Sequence, residues 1–309
     1  MNRLAIDRAL QKYAVHKDPL VQQSVGRAGP ILRAAAELAH SLGDADLRSS
    51  EPTNKEIDDV IRGGEPLLSR GLLTIEGDSL VKSLTKMGEI VAKQLLVTDA
   101  VKDKAKNFDW APYATKLLAM TASRRPDDYY EECGKILEAS KHLEGLTKEE
   151  AQEFSDDFFL FTLWITVRAY LDSWAEQCAR LFDMREQAVV NFERRRTCPV
   201  CGSHAAMAYV EPTTRGGNAK KLFCTDCGCS WKFERIRCPE CGNEAVSDFT
   251  YVHDHDDESH RLHVDKHCGT AFPTYFAKGE ELDFAPDVES LVVFPALEAA
   301  YAQGHNTES

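Results

Sequence analysis

Cys198-Pro-Val-Cys201-Gly202, Cys224-Thr-Asp-Cys227-Gly228, Cys238-Pro-Glu-Cys241-Gly242 and Asp265-Lys-His-Cys268-Gly269 crowd into the last third of the chain. Each is a short turn closed by glycine, the residue that accepts positive φ without strain. In the first three turns two sulfurs flank two residues, the spacing at which a pair of thiolates converges on one cation. A tetrahedral ion needs four ligands and one such knuckle supplies two, so four knuckles imply two sites. The fourth knuckle carries Asp265 where its first cysteine would stand.

Cys-Pro-x-Cys-Gly occurs at 198 and again at 238, each followed at hairpin distance by a second knuckle. This is an internal repeat of one small metal module. The first site is Cys198, Cys201, Cys224 and Cys227. The second is Cys238, Cys241, Cys268 and one ligand that is not cysteine: Asp265 by register, with His267 and His263 as alternatives. Three sulfurs and one oxygen or nitrogen should leave a more open site than four sulfurs. Iron of the rubredoxin type and structural zinc share this geometry, so spacing does not separate them.

Working outward, residues 198–276 alternate strand-like runs with turns: 206–210, 221–223, 230–236, 249–252, 261–264 and 272–276, with hairpin connections at 216–218 and 254–259. Residues 1–190 read as helical. Ile31, Leu32, Ala35, Ala36, Leu38 and Ala39 keep a helical period, as do Leu80, Leu84, Met87, Ile90, Val91, Leu95 and Leu96. Pro112 and Pro126 sit where helices start. Thr147 followed by Glu150 forms a capping box. The helix it opens runs towards Met184 and is apolar over much of its circumference, as expected of the centre of a bundle. A last helix is expected over 286–302. The fold expected is α+β: an all-α domain (1–190), a rubredoxin-like or zinc-ribbon β module (191–236), and a second such module with a C-terminal helix (237–309).

The chain has 309 residues, 43% of them hydrophobic, and a net charge of −13. That supports a substantial core and disfavours attraction to polyanions or an anionic membrane. The first residues show no apolar signal segment, and the longest apolar run, 158–167, is too short to cross a bilayer. A cytoplasmic location is expected, where knuckle cysteines act as metal ligands and not as disulfides. Between 191 and 237, nine Lys and Arg residues face four acids, with Trp231 and Phe233 interleaved. This local basic excess suits a nucleic acid, an anionic peptide or a protein surface. Given the acidic remainder, nucleic acid is the weaker reading. Cys133 and Cys178 read as core residues. Cys229 reads as incidental, with an outer thiol beside the first site as the alternative. The run 253–260, rich in His and Asp, reads as a solvated hairpin tip more readily than as a chelator. No nucleophile elbow or phosphate loop is present, so no catalytic residue is assigned.

These knuckles, together with Thr213-Thr-Arg-Gly216, Leu222-Phe-Cys224, Trp231, Arg237-Cys238 and Cys268-Gly-Thr270, resemble the formate dehydrogenase accessory protein FdhE family. The resemblance implies a cytoplasmic maturation factor, not an enzyme. It would bind the catalytic subunit of respiratory formate dehydrogenase and hold iron at two mononuclear sites, zinc being the alternative. Asp265 departs from a strict repeat of the motif. Two other readings compete: a rubredoxin-like electron carrier and a zinc-ribbon nucleic-acid-binding protein.

Overall fold

The computed structural model describes residues 1–94, 98–120, 126–213, 217–254, 257–277, 283–293 and 307–308. The first part is helical. Helix α1 spans Arg3–Tyr13 and α2 Pro19–Ser41, the latter opened by an Asp18 cap and Pro19. Pro30 lies inside α2. There follow α3 (Asn54–Ile61), α4 (Gly77–Gln94), α5 (Asp99–Lys106), α6 (Ala111–Met120), α7 (Pro126–Glu138) and α8 (Lys148–Glu153). The Thr147–Glu150 capping box forms as its spacing predicts. A two-stranded ribbon, β1 (Leu47–Ser49) with β2 (Leu73–Ile75), interrupts the helices.

The long helix after Thr147 is not uniform. Between α8 and α9 (Phe161–Arg185), residues Phe154–Leu160 form a π-helical stretch. The wider turn lets Phe154, Phe158 and the adjacent Phe159 all point inward, where they meet Phe108, Trp110 and Tyr113. Trp110 and Phe159 stack with centroids 5.7 Å apart. Helix α9 is buried around most of its girth and touches α2, α3 and α4 on its helical side. On its other side it meets the first strand module.

That module is β3 (Met207–Pro212), β4 (Asn218–Phe223) and β5 (Ser230–Phe233). The second is β6 (Phe249–Asp254), β7 (Asp257–Asp265) and β8 (Ala271–Phe276). Each is an antiparallel meander, and the two join edge to edge. β3 pairs in parallel with β8 through Ala208 with Thr274 and Tyr209 with Tyr275. With β9 (Thr307–Glu308) beyond β6, one sheet runs β5-β4-β3-β8-β7-β6-β9. Residues 286–293 form a helix. The rest of the expected C-terminal helix, the positions Leu95, Leu96 and Gly216, and residues 255–256 of the acidic run fall outside the described residues.

The four cysteines of the first cage share one continuous core with the helical body, through Leu222, Trp231 and Phe233. The β3/β8 junction and the β6/β7 hairpin have small cores of their own. Among the described residues, no helix is long and apolar enough to cross a membrane.

Candidate metal centres

All four knuckles have the same backbone. In each, the amide of the first ligand position donates to the carbonyl five residues on: Cys198 to Ser203, Cys224 to Cys229, Cys238 to Asn243, Asp265 to Thr270, at 2.8–3.0 Å. The glycine amide donates back to the first residue's carbonyl, as from Gly269 to Asp265 at 2.8 Å. Gly202, Gly228, Gly242 and Gly269 take φ of 86°, 80°, 82° and 76°. Asp265 therefore occupies the backbone slot of a first knuckle cysteine.

The structure brings Cys198, Cys201, Cys224 and Cys227 together, with all ligand atoms within 4.8 Å of one another. Cys198 Sγ lies 3.5 Å from Cys227 Sγ, and Cys201 Sγ 3.5 Å from Cys224 Sγ. A disulfide would need about 2.05 Å, and these cysteines are free. A tetrahedron with metal–sulfur bonds of 2.3 Å has edges of about 3.8 Å. The donor set thus fits a single tetrahedral ion. All four residues are buried. Burial holds the Cys198 and Cys227 thiols well above their ordinary range. Burial opposes ionisation of Cys201 too, yet hydrogen bonds from Cys198, Cys224, Cys227 and Ser203 bring it well below. Thiolate is the form that ligates a metal, so an ion held here would take the place of the thiol protons.

The helical body walls in this cage. The amides of Leu67 and Leu68 donate to the carbonyls of Pro199 and Val200 at 3.1 and 2.8 Å. From α9, Arg168, 2% exposed, reaches the Cys227 carbonyl at 3.4 Å while pairing with Asp172 at 2.6 Å and Asp287 at 3.1 Å.

The second cluster is Cys238, Cys241, Asp265 and Cys268, again within 4.8 Å. Cys238 and Cys268 sulfurs lie 3.7 Å apart, and Cys241 Sγ is 3.1 Å from Asp265 Oδ2. This set also fits one tetrahedral ion, with a carboxylate oxygen as the fourth donor. Asp265 Oδ1 is held by Asn243 Nδ2 at 3.0 Å and the His267 amide at 2.9 Å, leaving Oδ2 towards the sulfurs. Burial opposes ionisation of Asp265, but hydrogen bonds from Cys241, Asn243 and the His267 amide hold it well below the usual carboxylate range. Loss of hydration around its sulfur inside the cluster, with hydrogen bonds to Asp265 and Cys268, pushes the Cys241 thiol up to about 12 although the residue as a whole reaches the surface. Cys241 and Cys268 are exposed, unlike any ligand of the first cage.

Neither of the histidine alternatives stands in this cluster. His263 is buried against Tyr251 and Phe276, ring centroids 4.4 and 5.8 Å away. His267 contributes its backbone amide to Asp265. Cys133 and Cys178 are buried in the helical core, where burial raises their thiols to about 11 and about 12. The acidic run is not a solvated tip at its end: His260 is 4% exposed, its ring nitrogens bonded to the half-buried Asp257 and the buried Glu289.

Three residues that follow the knuckle glycines, Ser203, Asn243 and Thr270, have contacts to which the sequence reading assigns no role. Ser203 Oγ lies 3.4 Å from Cys201 Sγ, Thr270 Oγ1 3.2 Å from Cys268 Sγ, and Asn243 braces Asp265. Cys229 holds the same place in the second knuckle, fully buried with its thiol hydrogen-bonded to Cys198. The signal was present: Ser, Cys, Asn and Thr, all small and polar, follow the four glycines.

No family model matches the chain. A protein named Protein FdhE homolog from Pectobacterium carotovorum subsp. carotovorum (strain PC1) is 28% identical over 200 residues, 60% of this chain and 61% of that protein. Protein FdhE from Escherichia coli O1:K1 / APEC is 26% identical over 197 residues, 59% of this chain and 60% of the other. The chain thus matches about three fifths of the length of these curated relatives. The crystal structure of the FdhE protein from Pseudomonas aeruginosa superposes with a TM-score of 0.55 at 15% identity, covering 98% of this chain and 91% of that one. The chain is thus similar to FdhE proteins in sequence over part of its length and shares the fold of the solved one.

Proposed function

We propose that this chain is an accessory factor in the maturation of formate dehydrogenase, acting on the enzyme's catalytic subunit and not as an enzyme itself. The observation that carries the reading is the pair of unequal cages on one sheet, in a chain similar to FdhE in sequence and fold. The buried Cys198, Cys201, Cys224 and Cys227 cage fastens the first module (191–236) to the helical body (1–190). The second cage, in residues 237–309, keeps Cys241 and Cys268 at the surface, where ion loss or oxidation can be sensed. The client would dock on the helical body or at its junction with the sheet. Iron in both cages is the reading that the family resemblance favours, with zinc the alternative. An ion in either cage supplies a crosslink between two hairpins, and in the second cage also an oxidisable centre if it is iron.

The test is deletion of the gene in a host that respires formate, with metal analysis of protein purified without oxygen. Loss of formate dehydrogenase activity, restored by the intact gene and not by a Cys238→Ser/Cys241→Ser variant, is expected. Full activity in the deletion strain removes the proposal. Co-purification of the catalytic subunit with the tagged chain tests the docking directly.

A further inference from the structure

The arginine-rich segment before the first knuckle lines a concave cleft of about 730 Å³. Its walls come from three places: the end of α3 (Arg62), the first knuckle's flank (Thr197, His204), and Pro239 and Glu240 inside the third knuckle. Five arginines line it against two glutamates, in a chain whose net charge is −13.

These arginines are not equally neutralised. Arg237 is paired with Glu193 and Glu234, and Arg194 with Glu234. Arg62, Arg195 and Arg196 have no carboxylate within 4.0 Å among the described residues. Carbonyl oxygens hold Arg195 and Arg196 instead. Arg195 Nη1 donates to Val60 and Gly64 at 3.2 and 2.5 Å, and Arg196 donates to Glu240. A carbonyl fixes a guanidinium without cancelling its charge. The result is cationic forks set in place beforehand, so a ligand loses little freedom in ordering them. Planar forks of this kind match the paired oxygens of a phosphate.

We propose that this cleft binds a small phosphate-bearing anion, a diphosphate or phosphate ester, independently of the accessory role. The volume lies within the range of small-ligand clefts. An extended polyanion would be disfavoured by the chain's net charge of −13. An acidic peptide would want an apolar anchor. The aromatic ring lining the cleft, Phe192, already lies beneath Arg194 at 5.8 Å.

Calorimetric titration of the full chain at low salt with pyrophosphate and with ADP tests this. Saturable one-to-one binding is expected. Arg62→Ala and Arg196→Ala should each weaken it about tenfold or more, the scale of losing charged hydrogen bonds. Arg196→Lys keeps the charge, loses the fork, and should also weaken it. Arg180→Ala, an exposed cation on α9, should bind as the parent does. Thermal unfolding of each variant confirms folding. No saturable heat with either anion overturns the proposal, as does undiminished binding by the Arg62 and Arg196 variants. Heat seen only with a glutamate-rich peptide or a single-stranded RNA oligonucleotide also overturns it, and assigns the cleft to a macromolecule.

Discussion

Gly228 lies directly beneath the guanidinium of Arg168, so close that a Cβ at 228 would overlap Nη1 and Nη2. The contact joins the central helix to the second knuckle, and Arg168 Nη1 also donates to the Cys227 carbonyl. Gly228 thus answers two demands, a φ of 80° and an absent side chain. Gly269 has φ 76° and nothing within 4 Å of a Cβ. Gly228→Ala should therefore destabilise by about 2–4 kcal/mol, summing left-handed strain and overpacking. Gly269→Ala should cost about 1–2 kcal/mol from strain alone. Urea midpoints of the metal-loaded proteins check the difference, and equal losses would refute the packing half of the argument.

Asp265 and Asn243 define the second cage's fourth corner. Because the backbone slot is that of a knuckle cysteine, Asp265→Cys should build a four-sulfur cage without moving the chain. It should hold its ion more tightly and release it more slowly to a chelator. Asp265→Ala removes a direct ligand. It should weaken that site by more than the 10–100-fold typical of losing an outer partner. Asn243→Ala, which frees Oδ1, should fall within that 10–100-fold range. A competition titration with a chromophoric chelator orders the three variants.

Much of this was legible in the sequence because knuckle geometry is local. Four backbone hydrogen-bond patterns and four positive-φ glycines follow from a five-residue motif, so ligand register could be read directly. The capping box at Thr147 was legible for the same reason. The parallel pairing of β3 with β8 was not, because strand adjacency across a repeat is a long-range outcome with no mark in either strand. The π-helical stretch at 154–160 was hidden too: Phe158 and Phe159 in sequence signal burial, not an extra residue in the turn. His260 was misread as exposed because its burial depends on Glu289, whose helix is distant in sequence.

That histidine gives a pH prediction. His260 Nδ1 faces Asp257 Oδ2 at 2.5 Å, and Nε2 faces Glu289 Oε2 at 2.9 Å. Tyr13 from α1 also donates to Glu289 at 2.7 Å. Burial alone would lower the imidazole's pKa, but the two carboxylates outweigh it and raise it from 6.5 to about 9. A cation favoured by folding contributes in full below pH 6.5, and that contribution is lost as pH rises through about 9. A rise of this size corresponds to about 3 kcal/mol. Asp257 is depressed to about 2, against burial, chiefly by His260. Its contribution is present above pH 3.8 and lost as pH falls towards 2. Stability should decline between pH 6.5 and 9 in the parent, and His260→Gln should flatten that slope. An unchanged slope in the variant would place the pH dependence elsewhere.

The two cages should part with their ions in order. Cys241 and Cys268 are exposed, so a chelator can approach the second cage directly. The first cage is closed by Arg168 and by the Leu67–Leu68 amides, and its sulfurs belong to the same core as Trp231 and α9. Its ion can leave only when that core opens. Structural sites of this kind bind with apparent energies of about 10–16 kcal/mol, so losing the ion removes folding energy from the module. EDTA should therefore take one equivalent quickly and leave the near-ultraviolet circular dichroism intact. The second equivalent should leave slowly, together with the Trp231 signal. Ser substitution at Cys241 should abolish the fast phase alone, whereas Ser at Cys227 should lower the yield of folded protein. Simultaneous release of both ions would mean that the burial difference between the cages does not govern exchange.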